Sequence, residues 1–182
     1  MNTNTWALDT AHSGISFSVR HMVVAKVRGR FATWTGSVEL DESDLSRSRV
    51  EVEIDASSID TGVAQRDQHL RSADFLDVEQ FPTLRFQSKR IENVRGDRFD
   101  VIGELTLHGQ TREVTLAVER GGQAKDPWGN QRVGFSARAS ILRSEFGLTW
   151  NQALETGGVL VADRIEIELD VQAVQNAARK TA

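Results

Sequence analysis

The sequence predicts an all-β protein: an eight-stranded antiparallel barrel with a short helical crossover between its third and fourth strands. Apolar residues alternate with polar ones along about eight segments, which is the period of a strand that buries one face. Turn-forming residues such as Gly and Asn separate many of these segments by short distances, so successive strands run antiparallel. One segment, residues 62–82, lacks the alternation and carries helical spacing instead.

The alternation is clearest in five of the predicted strands. These strands cover residues 15–19, 50–56, 114–118, 133–141 and 165–171. Weaker alternation covers residues 31–40, 84–86 and 99–107. Several strands exceed the five or six residues of an average strand. Long strands joined by consecutive hairpins favour a closed barrel over a two-layer sandwich, since closure leaves no edge strand exposed.

Residues 62–82 form the predicted crossover. Val63, Asp67 and Leu70 lie at i, i+4 and i+7, so they share one face of a helix. Asp67 and Arg71 are four residues apart with the acid first, which is the favourable order for a helical ion pair. We expect Asp67 to form an ion pair that ties the crossover to the barrel rim. A general acid or base at Asp67 is the alternative.

The composition restricts the class of protein. The chain has 182 residues, of which 39% are hydrophobic, enough for one domain with its own core. We expect a single domain over residues 1–172 and a C-terminal tail, residues 173–182, that frays. The lack of cysteine excludes disulfides, thiolate metal sites and a cysteine nucleophile. The net charge of −4 gives no basic field for nucleic acid, so no nucleic-acid partner is expected.

The sequence also bears on membranes, compartment and self-association. No apolar run approaches the roughly 18 residues of a membrane-spanning helix, so no stable membrane insertion is expected. No basic stretch followed by an apolar one precedes Trp6, so no secretory signal is expected and the expected compartment is the cytoplasm. The sequence leaves a homodimer open.

The sequence contains no recognisable local motif for catalysis or for binding a metal or cofactor. There is no Gly-x-Ser-x-Gly nucleophile elbow, phosphate-binding loop or dinucleotide fingerprint. No two of His12, His21, His69 and His108 have the spacing of a local metal site. We therefore expect no catalytic residue, no metal and no cofactor.

A barrel of eight strands has an interior that is either packed solid or just wide enough for one slender ligand. Small residues at Ala137 and Ala139 leave space in the middle of a long strand, which is filled either by large side chains opposite or by a ligand. The residues predicted to line the lumen are Phe17, Val19, Phe31, Val52, Ile54, Leu105, Leu107, Phe135, Ala137, Ala139, Ile141, Ile165 and Ile167. Arg20, His21 and Arg66 are the candidates for contact with the polar end of a ligand.

Several motifs resemble those of the YceI-like family. The chain opens with Asp9-x-x-His12-Ser13-x-Ile15-x-Phe17-x-Val19-Arg20-His21-Met22. Its most specific block is Arg66-Asp67-x-His69-Leu70-Arg71-Ser72-x-Asp74-Phe75. Gly103-x-Leu105-Thr106-Leu107-x-Gly109 and Arg143-x-x-Phe146-Gly147-Leu148 follow. The resemblance extends from Trp6 to Val171.

The resemblance implies an extended, lipocalin-like barrel whose apolar lumen holds a long-chain lipid. The implied ligands are polyisoprenoids, including prenyl quinones and prenyl pyrophosphates. It supplies no catalytic residue, and many family members are periplasmic. The expected function is therefore a non-enzymatic carrier or store for an isoprenoid-like lipid. The alternatives are an enzyme that acts on such a lipid and a structural barrel with a filled core.

Overall fold

The protein folds into a closed antiparallel barrel with a short helix at one end. A computed structural model describes residues 3–175. The strands are β1 (Thr3–Leu8), β2 (Gly14–His21), β3 (Ala25–Phe31), β4 (Trp34–Asp41), β5 (Arg49–Asp55), β6 (Ile59–Asp60), β7 (Thr83–Arg95), β8 (Arg98–Leu107), β9 (Gln110–Lys125), β10 (Gln131–Leu142) and β11 (Val161–Gln175), and the helix is α1 (Ala64–Arg71). Single turns of 3-10 helix cover Thr10–His12, Leu45–Arg47, Ala56–Ser58 and Arg143–Phe146.

The eleven strands of the described chain make eight barrel strands, because three barrel strands are bent. Strands β1 and β2 follow one another along β11, from Trp6 opposite Gln175 to His21 opposite Val161. In the same way β3 and β4 form one bent strand, which pairs with β6 and β5 in turn. Strands β7 to β11 pair consecutively, and the contact of β1 with β11 closes the ring. The predicted eight-stranded antiparallel barrel is confirmed.

The two ends of the barrel differ. One end carries α1, the turn between β2 and β3, and the turn between β8 and β9; we call it the crossover end. The opposite end, called the distal end, carries the β7–β8 and β9–β10 turns and the 3-10 turn Leu45–Arg47. Helix α1 is too short and too polar to cross a membrane, and no other helix of residues 3–175 could do so.

Glycine permits aromatic side chains to lie along the inner wall. Gly29 on β3 is directly opposite Phe17 on β2, and a Cβ atom at Gly29 would overlap the Phe17 ring. A Cβ atom at Gly103 on β8, which is opposite Ser88, would likewise overlap the ring of Phe86. In both places the missing side chain leaves room for a ring that would otherwise be displaced into the lumen.

The crossover is fixed by hydrogen bonds to the backbone that precedes it. Asp67 is buried and accepts hydrogen bonds from the backbone N–H and the hydroxyl of Thr61. Arg66 donates to the Thr61 hydroxyl and carbonyl oxygens, and Arg71 donates to the carbonyls of Ser57 and Ile59. The predicted ion pair of Asp67 is therefore wrong: its carboxylate binds Thr61, and Arg71 binds carbonyl oxygens.

Strand β11 continues past the predicted end of the domain at residue 172. Ala173 is fully buried and pairs with Leu8 and Val133, so residues 173–175 belong to the barrel. The remainder of the predicted tail, residues 176–182, lies outside the described residues.

Candidate ligand cavity

The barrel encloses an apolar cavity of about 280 Å³. This space greatly exceeds the roughly 10–15 Å³ needed to hold one water molecule. Its wall runs from Leu45 and Ile91 near the distal end to Leu70, Phe75 and Leu148 at the crossover end. The surface that faces the cavity is apolar. A space of this kind solvates hydrocarbon well and water poorly.

The burial pattern shows independently that the lumen is not filled by side chains. Leu105, Ile165 and Ile167 point inward, yet each keeps part of its surface accessible. In a solid core such residues would be almost fully buried, as Val133 and Phe146, which lie off the cavity wall, are at 1% exposure each. The accessible surface faces the cavity.

Most residues predicted to line the lumen lie on this wall. They are Phe17, Val19, Phe31, Val52, Ile54, Leu105, Leu107, Phe135, Ala137, Ile141, Ile165 and Ile167. The alternation along each strand is the signal that predicted this position. Their contact with a ligand stays a prediction.

Four other predicted residues lie off the cavity wall. Arg20 is exposed on the outer face, and His21 lies at the end of β2 between Val161 and Ala25. The Arg66 guanidinium is held by Thr61, 2.7 Å from its hydroxyl oxygen. Ala139 packs in the buried apolar cluster at the crossover end. The structure thus places none of these four side chains along the cavity.

Sequence reasoning missed the residues that close the crossover end. Leu70 and Leu76 on the crossover and Leu148 on the loop after β10 all line the cavity. These segments lack strand alternation. The helical spacing of Leu70 was the one available signal, and it does not show which element the helix covers.

A cluster of three aromatic rings covers the crossover end. The His69 ring makes edge-on contacts with Phe75 and Trp150, with centroids 5.0 Å and 4.8 Å away. Phe75 and Trp150 also contact each other. The His69 Nε2 atom lies 2.9 Å from Asp74 Oδ2, which fixes the plane of the imidazole. The cluster links α1 to the loop that precedes β11.

Arg143 is a buried arginine on the cavity wall that sequence reasoning also missed. It is 4% exposed. Its guanidinium donates to the carbonyl oxygens of Leu148, Trp150, Val161 and Ala162 at 2.7–3.2 Å. Burial lowers the pKa of Arg143 from its ordinary value. These bonds join both ends of the loop between β10 and β11 to the barrel. The first role of Arg143 is therefore to hold the closed crossover end in place.

The barrel wall is incomplete between β9 and β10 near the crossover end. Their pairing within the described chain stops at Ala117 opposite Arg138, although both strands continue. An outer groove of about 340 Å³ lies where they part. Val114 and Ile141 line both this groove and the cavity, so the two spaces are adjacent there.

The acidic groups with the lowest pKa values lie in turns and not in the cavity. Hydrogen bonds from Arg132 and the contact with His12 lower the pKa of Asp9 to about 2. Burial acts to raise the pKa of Asp126, but hydrogen bonds from Arg132 and Asn130 outweigh it and lower the value to about 2. Arg132 thus bridges two carboxylates, at 2.6 and 2.9 Å. This arrangement stabilises the wall.

Potential metal ligands do not come together in the described chain. Within residues 3–175, no three His, Asp or Glu side chains have the arrangement of a metal site. The cavity wall over the same residues includes no acidic residue and no histidine.

Comparison with known proteins identifies the family. The model of the YceI-like domain matches residues 6–173. The chain belongs to the YceI-like family. A UPF0312 protein of Vibrio vulnificus is 38% identical to this YceI-like chain over 149 residues, which cover 81% of this chain and 79% of that one.

Solved structures show the same fold as this YceI-like barrel. The crystal structure of Burkholderia cenocepacia BcnA matches with a TM-score of 0.80 at 24% identity, over 91% of this chain and 98% of that one. A polyisoprenoid binding domain from Saccharophagus degradans, described as implicated in plant cell wall breakdown, matches with a TM-score of 0.66 at 14% identity. That match covers 94% of this chain and 98% of the other.

Proposed function

We propose that this YceI-like barrel binds the hydrocarbon chain of one isoprenoid-like lipid in its lumen and serves as a carrier or store. The observation that carries the proposal is the apolar cavity of about 280 Å³ inside the barrel. The polyisoprenoid binding domain of Saccharophagus degradans, which shares the fold, supports this class of ligand.

The hydrophobic effect supplies the affinity in this proposal. Each methylene that leaves water for an apolar site contributes about 0.8 kcal/mol, so a chain of several isoprene units needs few polar contacts. The wall is built largely from Leu, Ile, Val and Phe side chains, which match the branched and unsaturated hydrocarbon of a prenyl chain. The ligand chain lies along the barrel axis.

Binding without turnover is the function favoured here over catalysis. A general acid or base must reach the reacting atoms. The carboxylates and imidazoles of residues 3–175 lie off the cavity wall, which supports a binding role. The alternative, an enzyme acting on the same lipid, needs a group at the mouth of the barrel to reach the bound molecule.

Trp34 offers an internal probe for the test, because its indole is 6% exposed and lines the cavity. Delipidated protein is titrated with a prenyl quinone, whose ring quenches indole fluorescence. We expect saturable quenching at one quinone per chain. Trp34→Phe lowers the amplitude of quenching, whereas Trp128→Phe, at an exposed indole, leaves it unchanged. Non-saturable quenching, or an amplitude that Trp34→Phe does not alter, would contradict the proposal.

A further inference from the structure

The turn between β2 and β3 projects apolar side chains into solvent at the crossover end. Met22, Val23 and Val24 are 47%, 74% and 85% exposed. Met22 and Val23 have φ angles of 54° and 62°, a left-handed conformation that a β-branched residue rarely adopts. A polar Asn-Gly pair would suit such a turn better. We call Met22–Val24 the apolar tip.

A neighbouring loop extends this apolar surface. The Met22 backbone N–H donates to the carbonyl oxygen of Leu160, which places the loop before β11 beside the tip. Val159 on that loop is 46% exposed. Half of the large exposed apolar side chains in the described chain thus lie at this one place, a concentration that scattered surface residues do not show.

Cationic side chains flank the apolar tip. Arg20 on β2 lies directly opposite Lys26 on β3, and the next outward positions along β3 are Arg28 and Arg30. Like charges in directly opposite positions destabilise a sheet. Arg30 pairs with Asp60, but within residues 3–175 no ion pair neutralises Arg20, Lys26 or Arg28.

The positive charge is segregated, because the chain as a whole is acidic. Its net charge is −4, yet residues 10–38 contain no Asp or Glu. On the adjoining strand β11, Asp163 lies in the bulge opposite Arg20 and its carboxylate accepts hydrogen bonds from Ser144, while Glu166, opposite Ser18, lies 3.9 Å from the Arg164 guanidinium. The outer face of the β2–β3 hairpin is therefore a basic surface with an apolar tip.

We propose that the β2–β3 hairpin docks the barrel on a bilayer that contains anionic lipid, with the apolar tip inserted among the headgroups. Exposed apolar side chains next to Lys and Arg are the combination that binds an interface between water and lipid. A second copy of the chain fits less well, since a two-fold contact through this hairpin would bring the cations of both copies together. The proposal does not depend on what the lumen holds.

Docking in this orientation would bring the crossover end of the cavity to the membrane. Val19 and Val161 line the cavity and belong to the strands that lead into the tip and the neighbouring loop. A lipid that leaves the bilayer would thus have a short path to the groove and the aromatic cluster at this end.

Vesicle co-sedimentation of the full chain tests the proposal. The vesicles are phosphatidylcholine alone and phosphatidylcholine mixed with phosphatidylglycerol. We expect binding to the mixed vesicles that is at least about tenfold tighter than to the neutral ones and that weakens with salt. Val24→Asp should reduce this binding at least about tenfold, and Arg20→Gln combined with Lys26→Gln should remove the preference for phosphatidylglycerol.

Two variants at the distal end are matched controls. Val94→Asp changes another exposed valine, at 47% exposure against 85% for Val24, and Trp128→Ala removes an exposed indole; both should leave vesicle binding unchanged. All these positions are exposed, so thermal unfolding should be close to that of the parent chain. Binding to neither vesicle, loss of binding in Trp128→Ala, or a dimer in solution that Val24→Asp dissociates without any effect on vesicles would each overturn the proposal.

Discussion

Two alanines on the same face of β10 distinguish a hollow lumen from a packed core. Ala137 and Ala139 both pack in buried apolar clusters, at 8% and 9% exposure, but of the two Ala137 alone also lines the cavity. At Ala137 the Ala→Trp substitution can therefore direct its indole into the cavity, whereas at Ala139 the indole must displace packed neighbours. The pair of variants has the same added volume, the same strand and the same neighbouring turn.

The expected effects on stability differ in size. Overpacking a close-packed site costs typically about 1–3 kcal/mol, and a domain of this length loses about 2–4 °C of Tm per kcal/mol. Ala139→Trp should therefore lower the Tm of the delipidated protein by about 2–12 °C. Ala137→Trp places its indole in the cavity and should change the Tm by less than about 2 °C, since few atoms need to move. It should also abolish lipid binding.

Differential scanning calorimetry of both delipidated variants, together with a quinone titration of Ala137→Trp, measures these effects. Equal and large losses of stability at the two positions would refute the reasoning, because they would mean that the lumen is as densely packed as the cluster around Ala139. Normal lipid binding by Ala137→Trp would refute the location of the ligand.

Three further predictions concern the crossover, the distal turn and the gap in the wall. Asp67→Ala leaves the half-buried donors of Thr61 without this acceptor and should cost about 1–3 kcal/mol in urea unfolding, with lipid binding kept in the folded fraction. The hydrogen bond from Ser43, opposed by burial and assisted by Arg47, lowers the pKa of Asp41 from 3.8 to about 2. The ionised Asp41 carboxylate therefore contributes its full stabilisation above about pH 4, and this stabilisation is lost as the pH falls towards 2. Asp41→Asn should make that fall in stability shallower. A disulfide between Thr115→Cys and Ser140→Cys, in a chain that has no other cysteine, should slow the exchange of bound lipid by joining the strands where they part.

The disulfide prediction has a matched control. Cysteines in place of Ala117 and Arg138 join β9 and β10 where the strands already pair, so their oxidation should leave exchange unchanged. Reduction should restore the exchange rate of the first variant. Equal exchange rates in the oxidised and reduced forms would show that lipid does not pass between these strands.

The alternation of apolar residues predicted the barrel and most of its inner wall. Phe17, Leu105 and Ile167 could be placed because the strand period repeats wherever one face is turned away from water. The bend between β1 and β2 could not be predicted, since Trp6 and Leu8 are too few residues to establish a period. Arg66 is one of three candidates, with Arg20 and His21, for contact with the polar end of the ligand. Its donors are instead used by Thr61, a contact that only the folded crossover creates.

The role of Arg143 shows a second limit of sequence reasoning. Arg143 continues the inward-facing alternation of Ala139 and Ile141, but a cation at that position does not show which groups would bind it. Its burial depends on carbonyl groups that the loop after β10 and the start of β11 bring to it. Carbonyl oxygens from other segments accept the hydrogen bonds of Arg143. The spacing of residues along the sequence does not predict these contacts.

Native mass spectrometry of the purified protein, followed by organic extraction, tests the central claim most directly. A lumen that binds one isoprenoid-like lipid predicts a species heavier than the chain by one apolar molecule, and an extract whose fragments differ by isoprene units. Delipidated protein should regain that mass difference when it is incubated with a prenyl quinone. A chain that is purified without such a molecule and takes none up would contradict the account.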